Sequence, residues 1–347
     1  MDAPGKVPET INCHQCNAPI DLTGHQAFTH IECSRCGALS VVPLKFGNFL
    51  LLNAMGIGGM GTVYKAIDLS LKRFLAVKIL RKQFAVDPHF VESFAQEARA
   101  AAAVNHPNVA QVYAFGEHDG QYYLAMELLE RGSLDDRMAR LGKLPEKEVL
   151  DIGIQIASGL RAAYRCGLLH RDIKPGNILF NNEGDPKLAD FGLARGQPEA
   201  AAEADHPSGM VWGTPYYIAP EKLRGRTEDF RSDMYSLGAA LFHALAGRTP
   251  FEQESSPIPP SKQENPLKTL KAVAPDVQDF TAQVIGRMLA KDPADRYESY
   301  EALIYDLAEA ERRLRLGSPA TAATPDPPSL SDRVVAFWRR RKPSQLG

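Results

Sequence analysis

Cysteine is scarce in this chain: five residues in 347, four of them within the first 36 positions. No apolar run approaches the ~18–20 residues that a membrane-crossing helix needs, so the sequence offers no spanning segment. Charge of one sign is also lacking. Against 42 Asp and Glu stand 40 Lys and Arg, and a formal net charge of −2 gives no general argument for a nucleic-acid or membrane-surface protein. The opening Met1-Asp2-Ala3-Pro4-Gly5-Lys6-Val7-Pro8 has no apolar stretch of the secretory type, and the expectation is a cytoplasmic protein. What is present is 44% hydrophobic sequence, enough for a large core, over a length that suggests about two domains.

The four clustered cysteines form two pairs, Cys13-x-x-Cys16 and Cys33-x-x-Cys36, separated by 16 residues. Two such knuckles can bring four thiolates to one tetrahedral ion, and the spacing is that of a zinc ribbon over 11–45, after a flexible N-terminus at 1–10. Gly37 follows the second knuckle, where a tight turn lets backbone amides approach sulfur. A segment this short buries too little to fold unaided, and zinc affinity of roughly 10–16 kcal/mol would supply the folding energy. Disulfides compete with this reading, but nothing in the sequence suggests an oxidising compartment. With four thiolates at hand, His14, His25 and His30 read as surface residues and the zinc as structural. Cys166, alone in an apolar helical stretch, reads as a small core residue.

One stretch carries chemistry by itself: His170-Arg171-Asp172-Ile173-Lys174-Pro175-Gly176-Asn177, followed by Asp190-Phe191-Gly192. A carboxylate such as Asp172 can orient a substrate hydroxyl and take its proton. A second carboxylate and an amide oxygen, Asp190 and Asn177, suit a hard cation such as Mg2+. Between them Ile178–Phe180 and Pro186–Ala189 read as short strands around the turn-forming 181–185, which places both metal-ligand candidates at the ends of one hairpin. Upstream, Gly56, Gly58 and Gly61 let a backbone turn pass close to phosphates. A dinucleotide-binding fold would need a helix there, whereas Thr62–Ile67 alternates and is β-branched, so it reads as a strand.

Together these segments resemble the protein-kinase family, and specifically the bacterial eukaryotic-like serine/threonine kinases. The resemblance covers about 46–312. It implies an α+β, two-lobed protein-kinase-like fold, with a small β-rich lobe at 46–126, a hinge at 127–132 and a large helical lobe at 133–316, preceded by the small zinc ribbon. It implies ATP and Mg2+ (or Mn2+) as cofactors. Lys78, in Leu75-Ala76-Val77-Lys78-Ile79-Leu80, would hold the α- and β-phosphates, itself held by Glu97 from a helix at about 87–104. Glu92 on that helix fits less well. The residue four beyond Glu97 is Ala101, where the family has a bulky apolar side chain, and a looser helix is expected. Backbone groups of Glu127 and Leu129 would bond adenine, Met126 would guard the rear pocket, and Ile57, Val63, Ala76 and Leu179 would sandwich the ring.

By the same resemblance Asp172 serves the incoming hydroxyl, Lys174 neutralises the transferring phosphoryl group and marks the serine/threonine class, and Asn177 and Asp190 hold the metal. Gly213-Thr214-Pro215-Tyr216-Tyr217-Ile218-Ala219-Pro220-Glu221 resembles the end of an activation segment, with Thr214 near Asp172 and Lys174. Arg171 needs an anion. There is no threonine between Gly192 and Thr214, and Ser208 is the sole serine of that stretch. Ser208 phosphorylation is slightly favoured, the alternatives being Glu199, Glu203 or Asp205 as standing substitutes, or a kinase that needs no phosphate there. Val149, Ile152, Ile156, Leu160 and Tyr164 mark an amphipathic helix, and Ser232 opens a buried one. Asp233 resembles the residue that braces the catalytic loop, and Arg296 the partner of Glu221.

Beyond about Leu316 a Pro/Ala-rich linker at 317–330 leads to a tail, 331–347, in which Val334–Trp338 precedes four basic residues. It reads as solvated, with an interfacial or partner motif as the alternative. The expectation is a kinase of protein serine and threonine hydroxyls, itself included, acting in signalling. The zinc ribbon would serve as a docking or regulatory module, and no nucleic-acid partner is expected. A pseudokinase scaffold competes, but Lys78, Asp172 and Asp190 are all present. A small-molecule kinase is disfavoured by the 213–217 ending.

Overall fold

Two compact units make up the chain, 1–103 with 110–129, and 104–109 with 130–347. They are described here by a computed structural model that covers residues 5–191, 215–250 and 270–317. Gly192, Ser208, Thr214, the acids at 199, 203 and 205, and the tail from 318 lie outside the described residues.

The first unit opens with two antiparallel hairpins, β1 (Thr10–Asn12) with β2 (Pro19–Asp21) and β3 (His30–Glu32) with β4 (Leu39–Val41). Two residues later begins a six-stranded antiparallel sheet of β5 (Leu44–Phe46), β6 (Phe49–Ile57), β7 (Gly61–Asp68), β8 (Arg73–Leu80), β9 (Val112–His118) and β10 (Gln121–Met126), in the order β5-β6-β7-β8-β10-β9. Helices α1 (Lys82–Ala85) and α2 (Pro88–Ala103) lie between β8 and β9. β7 alternates in sequence while β8 is a nearly continuous apolar run, and the period of two along each strand assigns the faces. Val63 pairs with Lys78, Lys65 with Ala76, and Ala76 with Met126, so these five residues share one face. The opposite face carries Leu51, Ala66, Leu75, Val77, Ile79 and Ala125, buried together with Phe46 and Phe49.

The cysteine module is built onto that second face. Val7, Ala27 and Phe28 pack against its apolar cluster, and Phe28 stacks on Tyr64 with ring centroids 5.8 Å apart. Lys6 and Lys45 exchange backbone hydrogen bonds of 3.2 and 2.7 Å. The expected flexible arm at 1–10 is therefore tied down from Lys6, and the expected boundary at 45/46 falls inside continuous packing. A lone phenylalanine in a polar stretch carries no period, which is why the sequence does not announce this seat.

The second unit is mainly helical: α3 (Leu134–Leu141), α4 (Glu146–Arg165), α5 (Pro220–Leu223), α6 (Phe230–Ala246), α7 (Leu270–Val273), α8 (Asp279–Met288) and α9 (Tyr300–Leu316), with one hairpin, β11 (Ile178–Phe180) and β12 (Pro186–Leu188). Ser133 and Asp136 form a reciprocal capping box at the start of α3. Helix α6 is buried on nearly every side and packs against α4 and α8. Its cap is Asp229, whose carboxylate accepts from the Arg231 amide, three residues before the expected opening at Ser232. Ser232 lies inside the first turn and donates to Glu221 at 2.7 Å. On α4 the expected stripe is buried except at Tyr164, which is 46% exposed and rests against Phe230. Cys166 is exposed rather than in the core, because it caps α4 just before Gly167 turns the chain away at φ +74°. Among the described residues no helix is long and apolar enough to cross a membrane.

Candidate active site and metal centre

The catalytic stretch is held by α6. Asp233, buried in that helix, accepts the backbone N–H of His170 through Oδ2 and that of Arg171 through Oδ1, each at 2.8 Å. These bonds fix Arg171 at φ +64°, a left-handed conformation rare for a residue with a Cβ and typical of sites held by their surroundings. His170 is buried between a donor and an acceptor. The Ala189 carbonyl, 3.1 Å from Nε2, only accepts, and the Asp172 amide, 3.3 Å from Nδ1, only donates. The proton is thereby assigned to Nε2 of a neutral ring. Burial pushes the His170 pKa down, against the carboxylates of Asp233, Asp172 and Asp190, which raise it.

Asp172 follows with its side chain 49% exposed, open to a substrate. The Lys174 ammonium lies 2.7 Å from Oδ2, and the Asn177 amide nitrogen donates to the same oxygen at 2.9 Å and to the Asp172 carbonyl at 2.7 Å. Both partners of that nitrogen are acceptors, so the amide orientation is set and Oδ1 is the atom Asn177 offers a cation. Asn177 enters β11, whose register pairs Ile178 with Leu188, and the Ala189 amide returns to the Asn177 carbonyl at 3.0 Å. Asp190 comes next, at φ +56°. The hairpin thus brings Asn177 and Asp190 to its open end. Phe191 is buried, its ring centroid 4.7 Å from that of His170. Leu179, in β11, pairs with Lys187 and bridges to Ser133.

Three supports, Asn108, Lys222 and Glu228, were not read from the sequence, whereas the Arg296–Glu221 pair was. Asn108 is buried, donates to Pro186 O at 2.8 Å and accepts from the Leu188 amide at 2.9 Å, so it anchors β12. Its only sequence signal is the turn that contains it. The Lys222 ammonium donates to the Arg171 carbonyl at 2.9 Å, and Glu228 lies beside both cations. Deeper still, the Arg296 guanidinium forks onto both Glu221 oxygens at 2.7 and 2.8 Å. Burial would raise the Glu221 pKa, but hydrogen bonds from Arg296 and Ser232 outweigh it and hold the carboxyl below its usual range.

In the first unit Lys78 is buried on the face it shares with Val63, Ala76 and Met126. Glu97 has both carboxylate oxygens buried, whereas Glu92 is exposed. Ala101 is buried. Glu127 donates its backbone N–H to Gln111 at 2.8 Å, and Leu129 is buried two residues on. Ile57 is 68% exposed at the end of β6. A Cβ on Gly61 would lie 2.2 Å from the Ile79 carbonyl oxygen, so the fold itself demands glycine there. Gly56 and Gly58 face open space, and the fold makes no such demand of them.

The four cysteines converge: one ligand atom from each lies within 4.8 Å of the others. Cys13 and Cys36 sulfurs are 3.6 Å apart, and Cys16 and Cys33 sulfurs 3.7 Å. A tetrahedral ion with metal–sulfur bonds of about 2.3 Å spaces its sulfurs by about 3.8 Å, whereas a disulfide needs about 2.05 Å. The knuckles repeat: Asn17 N–H reaches Cys13 O and Gly37 N–H reaches Cys33 O, both at 2.9 Å, with Asn17 and Gly37 left-handed. Amides of Cys16 and Gln15 lead in drawing the Cys13 thiol down to about 6. The Ala38 amide pulls Cys36 down too, but the sulfurs of Cys16, Cys13 and Cys33, with burial, push it up to about 12. Four thiolates cannot share this space without a cation, so the donor set fits a metal. His14, His25 and His30 are exposed.

An exposed carboxylate contacted by a lysine and an amide, beside a second acid on the same hairpin, defines a phosphoryl-transfer site. The chain belongs to the protein kinase family: the protein kinase domain pattern matches residues 49–307. It is 37% identical over 265 residues to serine/threonine-protein kinase PrkC of Bacillus subtilis, covering 76% of this chain and 40% of that one. It is 35% identical over 302 residues to serine/threonine-protein kinase PknL of Mycobacterium tuberculosis, covering 86% and 74%. The crystal structure of the Mycobacterium tuberculosis PknI kinase domain superposes with a TM-score of 0.61 at 30% identity, over 77% of this chain and 98% of that one. The fold is the α+β protein-kinase fold. The chain spans less than half the length of its Bacillus relative.

Proposed function

We propose that this chain is an ATP-dependent serine/threonine protein kinase that phosphorylates protein hydroxyls, its own among them, in cytoplasmic signalling. The observation that carries the reading is the grouping of Lys174 and Asn177 on one oxygen of an exposed Asp172. That arrangement orients the carboxylate to accept a hydrogen bond from an incoming alcohol and to take its proton. Lys174 then faces the transferred group, where negative charge has to be met. Lys78 and the backbone around Gly56, Gly58 and Gly61 are suited to phosphate oxygens, and Val63, Ala76, Met126, Ile57 and Leu179 to an adenine ring.

Asn177 Oδ1 and the Asp190 carboxylate are the oxygen donors for Mg2+ or Mn2+, which when bound neutralises phosphate charge. The Cys13, Cys16, Cys33 and Cys36 set is assigned to structural Zn2+, supported by its sulfur spacing and by the absence of an open ligand position among four thiols. The module's exposed surface is offered as a docking site for a protein partner, and the tail at 331–347 as a weaker contact for a partner or a membrane. Thr214 keeps the role the resemblance gives it, beside Asp172 and Lys174.

The test is transfer of labelled γ-phosphate to serine or threonine of the protein itself or of a basic protein substrate. An Asp172→Asn control should lose about 10²–10⁴-fold in kcat while retaining nucleotide affinity. Nucleotide binding with no transfer by the unsubstituted protein would sink the reading in favour of a binding scaffold.

A further inference from the structure

Arg171 is gripped at three points. Asp233 accepts from its backbone N–H, Lys222 donates to its carbonyl, and Glu228 reaches its guanidinium, with Glu228 Oε2 3.9 Å from Nε. The same glutamate lies 3.2 Å from the Lys222 ammonium through Oε1. Glu228 and Arg171 are largely withdrawn from solvent, at 19% and 22% exposure, while Lys222 at 38% sits at the rim. Without the carboxylate, two cations would face each other across a half-buried space, next to a left-handed residue that immediately precedes Asp172. Removing one partner of such a set leaves uncompensated charge, which is the costly change. The sequence adds a second observation. The stretch between Gly192 and Thr214 holds one serine and no threonine, so it has little to phosphorylate.

We propose that Glu228 is a positioning residue for phosphoryl transfer: a permanent carboxylate that fixes the catalytic loop through Arg171 and Lys222, so that the enzyme works without phosphorylation at Ser208. Glu228 touches no reacting atom in this scheme. It acts by holding the Arg171 backbone, and with it the direction of Asp172. The proposal rests on the kinase reading above and replaces the sequence expectation that Ser208 supplies the charge.

The experiment uses the full chain, prepared with a co-expressed phosphatase and shown by mass spectrometry to be unmodified at the start. Initial rates with ATP, magnesium and a serine-containing basic protein substrate are compared for the parent, Glu228→Gln, Glu228→Asp and Ser208→Ala. Expected are an active unmodified parent, Ser208→Ala within about twofold of it, and Glu228→Gln lowered about tenfold or more in kcat with KM and Kd for ATP within about twofold. Glu228→Asp, which keeps the charge, should recover much of the loss. A Glu228→Gln enzyme as fast as the parent overturns the proposal. So does a Glu228→Gln loss in which nucleotide affinity falls in parallel, because that is general unfolding. A parent that stays silent until Ser208 is phosphorylated overturns it independently of any Glu228 variant. A parent that binds ATP and never transfers phosphate overturns the kinase reading, and this proposal with it.

Discussion

The ring of Phe28 lies on that of Tyr64, centroids 5.8 Å apart and planes inclined by 25°, joining the cysteine module to the strand that follows the glycine turn. A metal held by the four cysteines would therefore be mechanically coupled to the sheet. Chelating the metal, or replacing Cys16 and Cys33 by serine, should lower the melting temperature of the whole first unit rather than unfold the first 42 residues alone. Phe28→Ala should cost about 1–2 kcal/mol, less than the ~3–5 kcal/mol of a fully buried phenylalanine because Phe28 is half-buried. Urea denaturation followed by circular dichroism and by metal release measures both. Separate transitions for module and sheet would contradict the coupling.

The glycines divide into two kinds. Gly61→Ala places a methyl group 2.2 Å from the Ile79 carbonyl oxygen and should destabilise the fold by about 1–3 kcal/mol or more. Gly58→Ala meets nothing closer than 3.7 Å and should leave the melting temperature nearly unchanged while weakening ATP binding. Thermal melting with and without nucleotide distinguishes them. Equal loss of stability in both variants would refute the division.

Glu221 and Arg296 form a buried pair, and breaking it from one side should cost about 3–5 kcal/mol, as either Glu221→Gln or Arg296→Gln. The Glu221 carboxyl is held below its usual range in the folded chain, so its contribution is fully present above the unfolded value of 4.5 and is lost as pH falls through the lower folded value. Chemical denaturation at neutral pH and at pH 4 should show the gap between parent and Glu221→Gln narrowing in acid. A gap that widens would refute the assignment.

His170 has the opposite chemistry and the same direction of pH dependence. Burial keeps it neutral below its ordinary 6.5, although Asp233, Asp172 and Asp190 all favour the charged ring. The unfolded chain binds that proton first, so the His170 contribution is complete above about 6.5 and declines as pH falls toward the lower folded value. Carbon-13 NMR of labelled histidine should show one ring still neutral, with its proton on Nε2, at pH 6. A ring titrating at or above 6.5 would overturn this.

Much of the first unit was legible because a strand sends successive residues to opposite faces, whichever residues it carries. Leu75, Val77 and Ile79 went to one face and Ala76 and Lys78 to the other, as the pattern required. The loop from His170 to Asn177 was legible because its chemistry is local: Asp172, Lys174 and Asn177 lie within five residues. What stayed hidden depends on contacts between residues far apart in sequence. Glu228 meets Arg171 across a long stretch of chain, and neither residue belongs to a spacing that foretells the other. Cys166 misled because an apolar helical neighbourhood says nothing about where the last turn points. The knuckle repeat was available and only half used, since Asn17-Ala18 stands after Cys16 as Gly37-Ala38 stands after Cys36.

Val7, Ala27 and Phe28 all precede in the chain the sheet they support, and both knuckles are complete before β5 begins. During synthesis, which releases the N-terminal part first, the metal-bearing module can close while β6 to β10 are still unmade. The kinase sheet would then assemble on a seat already in place, and a cell short of the metal would lose enzyme at birth rather than throttle enzyme already folded.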